Sequence, residues 1–465
     1  MKPQLPYRPR LSEEAMMRRH RVDGEDKGLI FDTRKAKAIE ITLEELALLA
    51  CADGTRDLGG ILLEATRRGV YRRASTLTTL LASLQEQDLL SDGIPQPPRT
   101  ISRLADDVPL DVLDDFSLIC DQNGSCCSTY SSVALTESDT ARVRAVIDDA
   151  TFLPLYGSAP SDFCAADLED GHCGFLADDG SCRIHSAAGA EAKPRGCHLY
   201  PASFVYDGEA VRVAVSVECS CVLDSLGRHD GNPLVPAGAN CAADLLAATS
   251  VAHLPDTFQL TATSQATRDE LRSWTQAVYS HCVTLDDPLT SCWALAGCIE
   301  TEGLNVSACL DAMLASAAPD AAALNTLLQS LATTTAQRAN SSSAWRSAKD
   351  RSRRLGHWLR EASQALLVPN RVDELLAEAA GNRTTDRFYL RSTLFSYELV
   401  APKTARPAST LVTALRDRSI RMLLAREMRS TIPDDCQHDP SVKHPITAVE
   451  AMMRGQGLVS YAADL

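Results

Sequence analysis

Eight of the sixteen cysteines in this 465-residue chain fall in four short motifs between Cys120 and Cys221. The motifs are CDQNGSCC (Cys120 to Cys127), HCGFLADDGSC (His172 to Cys182), KPRGCHLYP (Lys193 to Pro201) and ECSC (Glu218 to Cys221). Thiolates this dense, set among turn-forming residues, point to a soft or borderline metal, either zinc or iron with sulfide. Four thiolates complete one zinc site or one iron–sulfur cluster, so eight permit two. The candidate metal ligands are Cys120, Cys126, Cys127, Cys173, Cys182, Cys197, Cys219 and Cys221.

Local chain grammar shows how these thiols could converge. Adjacent Cys126 and Cys127 cannot point the same way on a strand, so a tight turn or helix start is required there. Gly124 supplies flexible backbone just before them. Cys173 and Cys182 flank the turn LADDGS and can approach across a hairpin-like loop. The alternating run Val211 to Val217 predicts a strand leading into Cys219, which would set Cys219 and Cys221 on one face. His172, His185 and His198 each lie beside or three residues from a cysteine, as further candidate ligands or neighbours of ligands. The cysteines outside the motifs read as small buried hydrophobes.

Clustered cysteines mean ligands or redox groups in a reducing compartment and disulfides in an oxidising one. The opening MKPQLPYRPRLSEE has no apolar core of a secretory signal, and no run approaches the ~18 apolar residues of a membrane span. The chain is therefore read as cytoplasmic, with no membrane partner. A net charge of −15 argues against nucleic acid as a partner. That charge is uneven, because the first ninety residues are close to neutral.

The expected fold class is α+β, mainly helical, in three parts. Residues 1–90 predict a winged-helix-like module. GLIFDT (Gly28 to Thr33) and AIEIT (Ala38 to Thr42) read as strands around the basic turn RKAK. Thr42 and Glu45 form a capping box, and Leu58, Ile61, Leu62 and Leu77, Leu80, Leu81, Leu84 have helical spacing. Residues 91–102 are a Pro-rich linker, and residues 103–241 a Cys-rich metal-binding domain in which Arg142 to Ala150 predicts a helix. Residues 242–465 predict a helical C-terminal domain. Its helices include Arg268 to Cys282, Asp286 to Leu304, and Ala308 to Thr335 broken at Pro319.

Two resemblances sharpen these expectations. The opening RPRL (Arg8 to Leu11), the strand pair, DGTRDLGGILLEA (Asp53 to Ala65) and LLASLQEQDLLSDG (Leu80 to Gly93) resemble the PqqD-like family of peptide-recognition modules. That likeness implies a peptide or protein substrate, bound by adding a strand to the edge of the sheet. The cysteine motifs resemble a zinc- or iron-chelating cysteine-cluster family, whose pattern opens CxxCGxCC, continues CPFL…C.I and closes P..C..YP. Cys120, Gly124, Cys126 and Cys127 match the opening, with Asn123 in place of its second cysteine. Cys173, Phe175, Leu176, Cys182 and Ile184 match the second element, with Gly174 in place of its proline. Pro194, Cys197, Tyr200 and Pro201 match the third. Within this family the chain is most similar to the flagellin lysine-N-methylase group. Arg268 to Gly297, Phe388 to Phe395 and His444 to Gly455 extend that likeness through the helical half.

The second resemblance implies an iron–sulfur cluster or zinc as cofactor, with S-adenosylmethionine as a methyl donor for lysine N-methylation of a peptide or protein. Local chemistry does not supply that reaction. The chain has no G-x-G-x-G loop after a strand, no radical-type CxxxCxxC run, no P-loop and no H-E-x-x-H. The alternative is a non-catalytic metal-binding or electron-transfer protein with a peptide-binding N-terminal module.

Overall fold

The computed structural model describes residues 5–12, 15–22, 24–32, 37–93, 107–124, 127, 134–154, 164–169, 172–235, 238–241, 251–317, 319–341, 348–377, 383–400, 410–437 and 440–453. Cys126, most of the RKAK turn, most of the Pro-rich linker and the Arg454–Gly455 end of the last matched motif lie outside them. The architecture is α+β, with a helical C-terminal half. The chain forms two compact units. One contains residues 1–104, 126–198 and 341–351, and the other contains 105–125, 199–340 and 352–465.

The first unit begins with a small sheet-and-helix module. Strands β1 (Pro9–Leu11) and β5 (Leu90–Asp92) pair antiparallel and tie its two ends together. Strands β2 (Ala15–Val22), β3 (Glu25–Asp32) and β4 (Lys37–Ile41) form an antiparallel meander. Helices α1 (Leu43–Leu49), α2 (Leu58–Arg67) and α3 (Ala74–Gln85) follow it. The expected box at the start of α1 is present: Thr42 Oγ1 accepts from Glu45 N at 3.1 Å, and Glu45 Oε2 accepts from Thr42 N at 2.8 Å. Met17, Ile30, Leu46, Leu48, Leu49, Ile61, Leu77, Leu81 and Leu84 share one apolar core. Gly28 lets β3 sit close beneath α1. A Cβ there would lie 2.7 Å from Ile41 Cγ1 and 2.9 Å from Leu46 Cβ.

Strand β2 was not among the sequence expectations, because AMMRRHRV carries charge where an alternating strand would show apolar letters. Both faces of it are nonetheless covered. Ala15 and Met17 join the core, while Arg18 and His20 are buried at the intervening positions. Burial pulls the Arg18 guanidinium down to about 9, and its Nη1 donates to the Met17 carbonyl at 2.6 Å.

The same sheet continues into the Cys-rich segment. Its strand order is β11-β10-β2-β3-β4, where β10 is Leu168–Glu169 and β11 is His172–Cys173. Strand β10 runs parallel to β2, with Leu168 opposite His20 and Glu169 opposite Arg21. Nearby, β7 (Ala134–Leu135), β9 (Cys164–Ala166) and β8 (Phe152–Pro154) make a three-stranded sheet. Helix α4 spans Glu137–Arg144, so it begins five residues before the expected Arg142 and stops six before the expected Ala150, with turns over 145–150. Its start is set by a second capping box. Thr136 Oγ1 accepts from Asp139 N at 3.1 Å, and Asp139 Oδ2 accepts from Thr136 N at 3.0 Å.

The second unit carries a four-stranded sheet, β14-β12-β13-β6. It is made of Ala252–His253, Ala202–Tyr206, Val211–Val215 and Leu110–Val112. The helices that follow in the chain are α8 (Arg268–Val278), α9 (Pro288–Glu302), α10 (Val306–Ala315), α11 (Ala321–Ser341), α12 (Ala348–Ala365), α13 (Arg371–Ala377), α14 (Arg383–Phe395), α15 (Leu411–Ser430) and α16 (Pro445–Met453). The expected break near Pro319 falls between α10 and α11, where Ser316 turns left-handed with φ +47°. No helix among the described residues is long and apolar enough to cross a membrane.

Candidate functional site

The thiols divide between the two units. In the second unit, Cys120 and Asp121 meet Cys219 and Cys221 from about a hundred residues further along. The Cys221 thiol donates to Asp121 Oδ1 at 2.8 Å. Asn123 stands where the family pattern has a cysteine. Its Nδ2 donates to Asp121 Oδ2 at 2.8 Å and to Ser220 Oγ at 3.2 Å, tying the first motif to the last. Backbone pairs hold the same approach from the side: Leu118 N donates to the Asn232 carbonyl and Asn232 N to the Leu118 carbonyl, each at 2.8 Å.

Cys219 and Cys221 are not on a continued strand, as the alternation predicted. Strand β13 ends at Val215, Ser216 N donates to the Pro201 carbonyl, and Cys219 becomes the residue before a short helix, α7 (Ser220–Asp224). The alternation continues to Val217, but the bond from Ser216 closes the strand and a turn redirects the chain. The outcome still brings both thiols to the group, because Cys221 interacts with both Cys120 and Cys219. Contact with Cys120 lowers the Cys221 pKa. Its hydrogen bond with Cys219, burial and the Asp121 carboxylate act the other way and prevail, so the thiol sits well above its ordinary value.

In the first unit, Cys173 and Cys182 close the expected loop. Leu176 N donates to the Cys173 carbonyl at 2.9 Å, Ala177 N to Ser181 O at 2.8 Å and Arg183 N to Phe175 O at 2.8 Å. Leu176 and Cys182 pair across it. Both thiols pack against one apolar cluster of Val143, Ile147, Phe175, Ile184 and Ala192. Cys182 precedes α5 (Arg183–Ala188), which carries His185 one turn on. The buried Nδ1 of His185 accepts or donates no hydrogen bond among the described residues. Burial first, and Lys193 second, lower the His185 pKa, which favours the neutral, ligating form. His172 Nδ1 lies 3.4 Å from the Cys173 carbonyl. Cys197 rides on α6 (Arg195–Leu199), whose first amide, Arg195 N, is anchored to Asp139 Oδ1 at 3.0 Å. Cys127 is partly buried, and Cys126 lies outside the described residues.

Asp121 is the candidate at these sites that was least visible in the sequence, whereas His185 was already a candidate there. Asp121 stands next to Cys120, but one carboxylate beside one cysteine is a common coincidence, and only the fold brings Cys221 against it. Among the described residues, no group of three or more His, Cys, Asp or Glu side chains is arranged to hold a metal ion. The donors present are sulfur with one carboxylate in the second unit, and sulfur with the His185 imidazole in the first, types that zinc and iron accept. No family model, curated protein or solved structure matches the chain.

Proposed function

We propose that this chain is a thiolate-ligated metal protein, carrying zinc or an iron–sulfur cluster, that acts on a peptide or protein bound by its N-terminal module. The observation that carries the reading is the meeting of Cys120, Asp121, Cys219 and Cys221 across about a hundred residues of chain. One ligand group is Cys120, Cys219 and Cys221, with Asp121 as the oxygen donor. A second is Cys173, Cys182 and Cys197, with Cys126, Cys127 and His185 as the further donors. Such a metal contributes folding energy to loops that have little apolar core of their own.

Strand β4 ends the N-terminal sheet among the described residues, and its Glu40 is exposed. An extended peptide would add there, beside α1, by main-chain hydrogen bonds. The resemblance to the lysine-N-methylase group supplies the reaction, methyl transfer from S-adenosylmethionine to a lysine of the delivered chain. Metal analysis and the ultraviolet–visible spectrum of anaerobically purified protein test the first part. Near-stoichiometric zinc, or iron with sulfide, is expected, and its absence from folded protein overturns the reading. Incubation with labelled S-adenosylmethionine and peptides encoded beside the gene tests the reaction. Metal-loaded protein that transfers no methyl group to any of them is the alternative, non-catalytic protein.

A further inference from the structure

The N-terminal sheet and the Cys173 loop are one piece of structure. Strand β10 fills the β2 edge of the module, and β11, which ends in Cys173, pairs with β10 through Leu168 opposite Cys173 and Glu169 opposite His172. Leu168 is buried at this seam. The residue before β10, Asp167, holds three things together. Its carbonyl accepts from Gly174 N at 2.9 Å, its carboxylate accepts from Thr151 Oγ1, and it faces Arg19 of β2 at 3.9 Å. Arg19 in turn bonds Asp26 of β3 at 2.6 Å, and Arg21 bonds the other oxygen of Asp26 at 3.0 Å. Arg19 therefore links two strands of the module to the root of the thiol hairpin.

Gly174 shows why the pairing needs this sequence. A proline at that position has no N–H to give the Asp167 carbonyl. A Cβ there would also stand 3.1 Å from that carbonyl oxygen. The one departure from the family pattern in this motif thus sits at the bond that closes β10 onto β11.

We infer that Arg19 is a positioning residue for the Cys173–Cys182 thiol pair, and that the N-terminal module is the scaffold on which that pair is set. The inference rests on the metal reading for its purpose but not for its geometry. Fixing Cys173 through β10 also fixes the loop to Cys182, since Leu176 bonds Cys173 and pairs with Cys182. A ligand that rigidifies the module's sheet would then be felt at these two thiols and not at Cys120 or Cys221.

The test uses the full chain as wild type, Arg19→Glu and Arg19→Lys. In reduced, metal-free protein, iodoacetamide labelling of each cysteine is followed by mass spectrometry. Arg19→Glu sets a third carboxylate against Asp26 and Asp167. Labelling of Cys173 and Cys182 is expected to quicken about fivefold, with Cys120 and Cys221 unchanged and Arg19→Lys close to wild type. Zinc chloride competed against a chromophoric chelator should show a similar loss of affinity in Arg19→Glu alone. Unchanged labelling, or faster labelling of every cysteine together, overturns the inference. If wild type takes no zinc but labelling still responds at Cys173 and Cys182, the metal reading fails and the positioning role stands.

Discussion

The thiol-bearing loops of the first unit and the helical half of the second solve the same problem in opposite ways. The loops from Ala134 to Leu199 have short strands, short helices and an apolar cluster of only a few side chains. Their order comes from backbone bonds and from side chains such as Asp139 and Asp167 that each tie several segments. The helical half has long helices and a core with charges inside it. Tyr389 on α14, Asp417, Arg418 and Arg421 on α15, and Glu450 on α16 form one network. Arg418 bonds Tyr389 Oη at 3.2 Å and Glu450 at 2.8 Å, and Arg421 bonds Glu450 and Asp417 at 2.8 Å each. Tyr389 also donates to Glu450. Every charge there has an internal partner. The loops instead pack Cys173 and Cys182 on a small apolar cluster and hold few buried charges, so the two regions differ in what keeps them ordered.

If the proposed metal is bound, removing it should separate the two regions most. Binding energies for structural zinc in small domains are about 10–16 kcal/mol, and much of that is folding energy. A zinc or iron chelator is expected to raise hydrogen exchange across residues 134–154 and 172–198, while the pairing of β10 with β2 keeps part of the protection. Exchange in α8, α9, α14 and α15 should stay slow. Equal loss of protection in both regions would show that the helical half also depends on the ion.

The converse perturbation belongs to Glu450. Burial alone would raise its pKa, but Arg418 and Arg421 outweigh that and hold the carboxyl down to about 2. A group depressed in the folded state stabilises above its unfolded value near 4.3, and that contribution fades as pH falls toward 2. Unfolding of the helical half should therefore become easier between about pH 4.5 and pH 2. Glu450→Ala takes the carboxylate from buried Arg418 and leaves Arg421 only Asp417, for a loss of about 3–5 kcal/mol at neutral pH. Denaturant midpoints measured with and without chelator check it. The loss should be the same in both, and a loss seen only in metal-free protein would contradict the separation.

How much of this could be read in the letters follows the same division. The module's helices and the Thr42–Glu45 box were legible because spacing and capping are local. Strand β2 was not, because burial of Arg18 and His20 depends on what covers the outer face of the sheet. The four cysteine motifs were visible as a group, yet Asp121 and the docking of β10 on β2 arise from pairings about a hundred residues apart or more. No local pattern encodes them. The turn that ends β13 misled for a smaller reason. Val217 continues the alternation, but Ser216 bonds back to Pro201 and closes the strand.

The mildest test sets one substitution in both regions. Thr136 and Thr267 head equivalent capping boxes. Thr267 Oγ1 accepts from Glu270 N at 3.3 Å, and Glu270 Oε2 accepts from Thr267 N at 2.7 Å. Replacing either threonine with alanine removes one cap, at about 1 kcal/mol. The neighbours differ. Glu270 serves its own helix, and its carboxylate is lowered by the Thr267 backbone and side chain. Asp139 is buried, and besides closing its box it bonds Arg142 and receives the Arg195 amide that starts α6. In Thr136→Ala that carboxylate loses the hydroxyl that orients it, and α6 carries Cys197. Both variants should lose similar stability in urea, but only Thr136→Ala should speed iodoacetamide labelling of Cys197, by a factor of about two to three, since only part of the cap's energy reaches α6. Equal labelling in the two variants would mean that Asp139 is an ordinary cap, and that the thiol loops do not depend on such multiply bonded side chains for their order.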